Sequence, residues 1–193
     1  MKMKYLLATS LIAGAASVSA LEIGDKMVDT DVKMQGTDGK TYTLAGLKGE
    51  KGTLVIFTCN KCPFVQAWQD TMVEIGKTYS GKGIGVVFIN SNDPSVKGDT
   101  LENMKAFGEK EGYTFPYVQD STSDVARNFG ATKTPDVFLF NAEDELVYKG
   151  AVGEGGRRVG DEIWLKDALD ALLAGKKVEN AETKAVGCSI KFH

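Results

Sequence analysis

The chain has little of what several classes of protein require. Its apolar runs fall well short of the ~20 residues that a membrane-spanning helix needs, and it has no low-complexity tract and no internal repeat. A net charge of −3 argues against a nucleic-acid-binding protein and against a polybasic membrane binder. Only three residues are cysteine and only one is histidine. Three cysteines are too few for a disulfide scaffold, and the odd number leaves one thiol over.

The first residues of the chain have the features of an export signal. Lys2 and Lys4 give a positive start, residues 5–16 are a short apolar core, and residues 18–20 (VSA) form a small-residue cleavage site. No cysteine stands at the cleavage point, so a lipid anchor there is not indicated. We predict that residues 1–20 are a signal peptide and that the mature protein is periplasmic or secreted, without stable insertion into a membrane. The alternative is a short buried N-terminal helix.

The order of strand and helix patterns indicates one α/β domain over residues 21–175 and a C-terminal tail over residues 176–193. Compact apolar runs typical of buried strands alternate with stretches of helical spacing. This order predicts a mixed central sheet with helices on both faces and an N-terminal strand extension. The predicted strands lie within 23–45 and at 53–57, 83–90, 113–120, 137–140 and 146–149. The predicted helices begin at Pro63, at a capping box formed by Asp99 and Glu102, at Ser123 and at Asp161.

Residues 58–64, TCNKCPF, place a Cys-x-x-Cys pair between a predicted buried strand and a predicted helix. Unpaired N–H groups and the positive end of the helix dipole favour a thiolate at this position, and Lys61 adds a positive charge. The spacing lets the two sulfurs join as an internal disulfide. We predict a redox pair in which Cys59, the more exposed member, attacks and Cys62 resolves the mixed disulfide.

Two other interpretations of the pair are open on the sequence alone. Cys59, Cys62, Cys188 and His193 nominally supply three sulfurs and an imidazole, which is a permissible zinc set. Structural zinc pairs usually lie on loops or knuckles, however, and not between a core strand and a long helix, so we predict no metal and no cofactor. A purely structural disulfide would stabilise the chain little, because it closes a very short loop.

A second signal is the segment ATKTPDVFLF at residues 131–140. A proline just before a buried strand cannot donate to the sheet. A tight turn is its expected position, and a cis X-Pro bond is the usual reason for a proline in such a turn. We therefore predict that Pro135 is cis and faces the two cysteines, with an ordinary trans proline at a strand start as the alternative.

Taken together, these residues resemble the thioredoxin superfamily. The resemblance rests on the strand–CxxC–helix order at residues 57–68 and on Thr134-Pro135 before the VFLF strand, and it covers nearly all of residues 22–175. The N-terminal strands, the block at 91–120 and the motifs INSND, ENMKAF and GCSIKF are similar to the redoxin branch and to its peroxiredoxin-like group. The resemblance implies that Pro135 packs against the cysteines and that the Thr134 backbone pairs with a bound substrate chain.

The sequence departs from this family in two places. Peroxiredoxins carry Thr-x-x-Cys-Pro and a later arginine that together hold the peroxide. Here Cys59 stands in the threonine place, and the arginine place falls at Thr134-Pro135. Arg127 lies seven residues too early and is expected to be a solvated surface charge. The strand before the cysteines also lacks the buried carboxylate often found in thioredoxins, so water or Asp136 are the candidates for the proton acceptor.

The leading hypothesis is an exported thiol–disulfide oxidoreductase that exchanges disulfides with protein thiols and disulfides through Cys59 and Cys62. It would work with a separate redox partner and would not bind nucleic acid. The alternatives are a peroxiredoxin-like thiol peroxidase and a non-catalytic module with the same fold. Cys188 is a candidate accessory thiol. It is either a tail thiol packed by Ile190 and Phe192, or a third redox thiol that folds back to Cys59 or Cys62 or bridges to a partner.

Overall fold

The computed structural model describes residues 20–193, which contain nine strands and four α-helices. The predicted signal peptide therefore lies outside the described residues, apart from Ala20. The strands are β1 (Met34–Gly36), β2 (Thr41–Tyr42), β3 (Gly52–Phe57), β4 (Ile84–Asn90), β5 (Tyr117–Gln119), β6 (Lys133–Thr134), β7 (Asp136–Asn141), β8 (Leu146–Gly150) and β9 (Cys188–Ser189). The helices are α1 (Pro63–Ser80), α2 (Leu101–Glu111), α3 (Asp124–Phe129) and α4 (Trp164–Leu173). None of the helices in residues 20–193 is long and apolar enough to cross a membrane.

The central sheet is mixed, as the sequence predicts. Its seven strands lie in the order β2-β1-β5-β4-β3-β7-β8. Strands β3, β4 and β5 run parallel, while β7 pairs antiparallel with β3 and with β8. Every residue of β3 is buried, because β3 lies in the interior of the sheet and is covered on both faces. The carboxyl ends of β3 and β4 meet at one edge, and the cysteine pair follows β3 there.

Helices cover both faces of the sheet and enclose two apolar layers. Helices α1, α2 and α4 lie on one face, where Trp68, Met104 and Leu169 pack in one cluster. Helix α3 lies on the other face, where Phe129 packs edge-on against Phe57. This arrangement is the thioredoxin-like fold, with the predicted N-terminal strand extension present as the β1–β2 hairpin.

Two predicted element boundaries are wrong. The third parallel strand begins at Tyr117 and not at residue 113, because Pro116 has no N–H for a ladder and Tyr113 turns into an aromatic cluster instead. The last helix begins at Trp164 and not at Asp161, because Glu154 donates its N–H to the Glu162 carbonyl and holds the preceding residues in a loop.

A second, two-stranded sheet pairs β6 with β9. Strand β6 leads directly into Pro135, and β9 belongs to the C-terminal segment 176–193, for which the sequence predicts no strand. The tail therefore returns to the end of the domain that carries the cysteines.

The first residue of β7, Asp136, is a buried carboxyl group. Burial raises its pKa to about 7, although the backbone N–H groups of Thr132, Lys133 and Val137 oppose the shift. A carboxyl whose pKa is higher in the folded than in the unfolded chain holds its proton more tightly when folded. The free energy of unfolding therefore falls as the pH rises from the unfolded pKa of about 4 towards 7.

We predict that Asp136→Asn removes this fall in stability, which amounts to at most roughly 1.4 kcal/mol per pH unit over that range. The measurement is urea unfolding of both proteins at several pH values between 4 and 7. Asp161→Asn, at an exposed position, is the matched control and should follow the unsubstituted protein. Parallel stability curves for the Asp136→Asn variant and the unsubstituted protein would contradict the prediction.

Candidate active site

The two cysteines lie at the junction of β3 and α1, as the sequence predicts. Cys62 is the N-cap of α1, and Pro63 occupies the first helical position. Proline has no backbone N–H that would need a partner at this position, and its fixed backbone angle φ is the one that a helix start requires. The junction places Cys62 at the start of the helix, where the N–H groups of the first turn have no partner within the helix.

Thr134 contacts both sulfurs. Its hydroxyl oxygen lies 3.2 Å from the Cys59 sulfur, and its carbonyl oxygen lies 3.2 Å from the Cys62 sulfur. The peptide bond between Thr134 and Pro135 is cis, as predicted, and both residues are buried. The β6–β7 turn therefore packs directly against the cysteine pair.

Cys59 and Cys62 alter each other's protonation. The pKa of Cys62 is lowered to about 4, because the Cys59 thiol donates to its sulfur and because Cys188 and the Val65 N–H add further hydrogen bonds. The pKa of Cys59 is raised, because the hydrogen bond with Cys62 and burial both favour its protonated form. These opposite shifts favour a proton on Cys59 and a thiolate on Cys62.

The prediction that Cys59 is the more exposed cysteine is wrong. Both side chains are only 3% exposed. The Cys59 sulfur lies against the Thr134 hydroxyl, and the next residue, Asn60, is bound to the protein interior. Exposure consequently gives no reason to name Cys59 as the attacking thiol, and the hydrogen bonds favour Cys62.

The partner of Asn60 inside the protein is Asp99, a buried residue that the sequence pattern wrongly predicts as part of a helix cap. Its carboxylate accepts the Asn60 backbone N–H at 2.9 Å and the side-chain amides of Asn90 and Asn92 at 3.0 and 2.9 Å. The N-cap of α2 is instead Thr100, whose hydroxyl accepts a backbone N–H at 3.3 Å. The predicted capping box is therefore wrong, because the buried amides bind the Asp99 carboxylate.

Asp99 is the carboxylate that acts on the cysteine pair. Its negative charge contributes to the raised pKa of Cys59. Asp136, by contrast, binds the turn before Pro135: its carboxylate accepts the Thr132 N–H at 3.3 Å. The polar run NSND, which begins at the last residue of β4, contains two of the donors to Asp99 and is the signal that could have located this group, since it lies at the end of a parallel strand, at the same sheet edge as the cysteines.

The Asn60 side chain makes two further hydrogen bonds to the protein. Its side-chain N–H donates to the Gly98 carbonyl at 2.7 Å, and its side-chain oxygen accepts the Tyr117 hydroxyl at 2.8 Å. Burial raises the pKa of Tyr117 well above its usual value, so this hydroxyl remains a donor. The loop that carries Cys59 is thus rigidly connected to β5 and to the segment before α2.

Cys188 lies beside the pair. Strand β9 runs antiparallel to β6, with Cys188 opposite Thr134. Cys188 is half-buried, and the structure leaves all three thiols unlinked. The edge of Thr134 that the family resemblance assigns to a substrate chain is therefore paired with the chain's own tail.

The other residue of the nominal zinc set, His193, lies against Asp93, with its Nδ1 atom 2.9 Å from the carboxylate. In residues 20–193, no group of three or more His, Cys, Asp or Glu side chains is arranged to hold a metal ion. Arg127, which the sequence analysis treats as a solvated charge, donates to the His193 carbonyl at 2.6 Å and covers the Phe192 ring. Its role is to hold the tail.

The fold is thioredoxin-like, and a pair of cysteines lies at the start of its first helix. The family model described as Redoxin matches residues 22–163, and the chain belongs to the Redoxin family. Members of this family are thiol oxidoreductases or peroxidases.

Two solved structures are similar over most of the chain. A hypothetical protein from Sinorhizobium meliloti 1021 is 35% identical, with a TM-score of 0.83, over 91% of this chain and 97% of its own. An uncharacterized conserved protein from Geobacillus kaustophilus is 34% identical, with a TM-score of 0.84, over 89% and 93%.

A curated relative carries a functional name. The thiol-disulfide oxidoreductase ResA of Geobacillus thermodenitrificans is 25% identical over 116 residues. The match covers 60% of this chain and spans 63% of the length of that relative.

We predict that Asp99→Asn lowers the pKa of Cys59, because the substitution removes a negative charge that disfavours its thiolate. The measurement is the pH dependence of Cys59 alkylation in a background with Cys62→Ser and Cys188→Ser. Asp70→Asn, an exposed change on α1, is the control. An unchanged alkylation profile in the Asp99→Asn variant would show that this charge does not reach the thiol.

Proposed function

We propose that the protein is an exported thiol–disulfide oxidoreductase that exchanges disulfides with protein substrates through Cys59 and Cys62. The observation that carries the proposal is the pair of cysteines at the start of α1, whose two sulfurs both contact Thr134, together with the lowered pKa of Cys62. A thiolate is the nucleophile in disulfide exchange, and a neighbouring thiol is needed for release of the product. The similarity to ResA supports the same reaction class.

The proposed reaction in the reducing direction has two steps. The Cys62 thiolate attacks one sulfur of a substrate disulfide, which forms a mixed disulfide and releases the other substrate sulfur as a thiolate. Cys59 then loses its proton and attacks the Cys62 sulfur. The Cys59–Cys62 disulfide forms, and the second substrate sulfur leaves. The protein is oxidised by two electrons and the substrate disulfide is reduced to two thiols.

Thr134 and Pro135 are proposed as the substrate-binding residues. The backbone of Thr134 can pair with an antiparallel strand, because β9 already pairs with it. A substrate chain that replaced β9 would bring its own cysteine to the position of Cys188, next to the Cys62 sulfur. The proposed binding mode is therefore strand addition at the edge of β6.

A thiol peroxidase is the second candidate. One observation favours it: the thiolate, Cys62, is the cysteine that precedes proline in the peroxiredoxin-like Cys-Pro pattern. Cys59 stands where that pattern has a threonine, however, and Arg127 binds the tail instead of the site. A comparison of insulin reduction with hydrogen peroxide consumption at equal protein concentration separates the two activities. Peroxide turnover without insulin reduction would overturn the leading proposal.

We predict that the Cys59→Ser/Cys188→Ser variant accumulates mixed disulfides with a protein substrate through Cys62, because no neighbouring thiol is left to resolve them. The Cys62→Ser/Cys188→Ser variant should accumulate far less, since the raised pKa of Cys59 keeps it protonated. The trapped complex is measured on non-reducing gels, with reduced substrate and denatured substrate as controls.

Trypsin makes the assignment unambiguous. It cleaves after Lys61, so Cys59 and Cys62 fall on separate peptides, 52–61 and 62–77. Equal or greater trapping through Cys59 would overturn the assignment of Cys62 as the nucleophile, while the absence of trapping in both variants would overturn disulfide exchange itself.

A further inference from the structure

The C-terminal segment places a third thiol against the cysteine pair. Strand β9 occupies the edge of β6 with Cys188 opposite Thr134, and Cys188 packs against the apolar cluster that contains Cys59 and Cys62. Thr134, which contacts the sulfurs of Cys59 and Cys62, is thus also the strand partner of the third cysteine.

The backbone before Cys188 is shaped for this close approach. A Cβ atom on Gly187 would lie 2.1 Å from the Thr134 carbonyl oxygen, so a residue with a side chain would push the two strands apart. Successive residues of a strand face opposite sides. Ser189 accordingly faces outwards, and its hydroxyl accepts a hydrogen bond from the Lys133 side chain at 3.0 Å.

The residues after β9 fix the segment in place. Ile190 is buried and donates its N–H to the Thr132 carbonyl at 3.0 Å. The Lys191 N–H donates to the Asn92 side chain at 2.8 Å, and its carbonyl accepts the Asp93 N–H at 2.7 Å. Asn92 also donates to Asp99. The tail is thus connected to the same carboxylate that holds the loop of Cys59.

Exposure differs among the three thiols in a way that matters for exchange. Cys59 and Cys62 are 3% exposed, whereas Cys188 is only half-buried, with the exposed side chain of Val186 near it in the chain. Of the three cysteines, Cys188 is therefore the one most accessible to a thiol of another protein while β9 is docked.

We propose that Cys188 is a third redox thiol. It converts the Cys59–Cys62 disulfide into a Cys62–Cys188 disulfide and so connects the buried pair with the redox partner. This inference rests on the proposed function of the pair. It assigns to the tail a chemical step and not only a packing role.

The exchange step needs no external oxidant. Cys188 loses its proton to solvent, and its thiolate attacks the Cys62 sulfur of the Cys59–Cys62 disulfide. The Cys62–Cys188 bond forms, the Cys59–Cys62 bond breaks, and the electron pair leaves on Cys59, which takes up a proton. One disulfide is present before and after the step.

Reduction by the partner then begins at Cys188. A thiolate of a protein dithiol attacks the Cys188 sulfur, and Cys62 leaves as a thiolate, which its hydrogen bonds stabilise. The second thiol of the partner then attacks the mixed disulfide. Cys188 is released as a thiol, and the two sulfurs of the partner are joined in a disulfide. The partner has lost two electrons, and Cys62 and Cys188 have gained them.

The decisive experiment removes Cys59 and leaves the other two thiols. Cys59→Ser, oxidised with excess oxidised dithiothreitol, should lose both free thiols as a monomer and yield peptide 62–77 linked to peptide 185–191. Cys59→Ala repeats the measurement if the serine variant fails to fold. In the unsubstituted protein, partial oxidation should give this linkage beside the one between peptides 52–61 and 62–77.

The matched control moves the thiol by one residue. Cys59→Ser/Cys188→Ser/Ser189→Cys carries the same number of thiols, but the new thiol faces away from Cys62, so the internal disulfide should be lost. Cys188→Ser alone should keep the Cys59–Cys62 disulfide and should be reduced roughly tenfold or more slowly by a thioredoxin-type protein dithiol, because the exposed sulfur is gone.

The outcomes separate this inference from the proposed function. Two free thiols remaining in oxidised Cys59→Ser, or links formed only between molecules, would overturn the role of Cys188 while leaving exchange by the Cys59–Cys62 pair intact. A wild-type protein that forms no Cys59–Cys62 disulfide and exchanges none would overturn the proposed function first.

Discussion

The contacts of Thr134 are the interaction on which the rest of the site depends. Its hydroxyl meets the Cys59 sulfur, its carbonyl meets the Cys62 sulfur, and its backbone pairs with Cys188. One residue therefore fixes the relative positions of three thiols that come from two distant parts of the sequence. Because the turn at Pro135 leads into β7, which pairs with β3 along its whole length, this position is set by the central sheet.

The second constraint is electrostatic and acts through Asp99. A buried carboxylate needs hydrogen-bond donors, and Asp99 has the Asn60 N–H together with the amides of Asn90 and Asn92. The same bonds hold the cysteine loop inwards and place a negative charge near Cys59. The Asp99 charge contributes to the raised pKa of Cys59, whereas the start of α1 favours a thiolate on Cys62. The two influences therefore act in opposite directions on the two sulfurs. The asymmetry of the pair is thus built into its surroundings.

Local patterns predicted much of this molecule and failed where tertiary contacts decide. Compact apolar runs gave β3 and β4 correctly, and the Cys-Pro sequence gave the start of α1, because buried strands and helix starts have strong local preferences. Asp99 was misassigned to a helix cap, since its local spacing satisfies that rule while its partners lie far away in the chain. The pairing of Cys188 with Thr134 has no local signature beyond Gly187, and it depends on the whole domain to bring residues 134 and 188 together.

The position of β9 also determines which molecules can reach Cys62 and react with it. While β9 is docked, the edge of Thr134 is filled and Cys62 is buried, so a folded protein disulfide has little access to Cys62. Cys188, by contrast, is already paired with Thr134, whose carbonyl oxygen contacts the Cys62 sulfur. Detachment of β9 would break the backbone bonds to β6 and those of Ile190 and Lys191. Each backbone hydrogen bond contributes about 1 kcal/mol net, so a substrate strand that forms equivalent bonds on β6 would offset part of this cost. Access to the pair is therefore a competition between two strands for one edge, and the sulfur carried by the bound strand is the one that Cys62 meets.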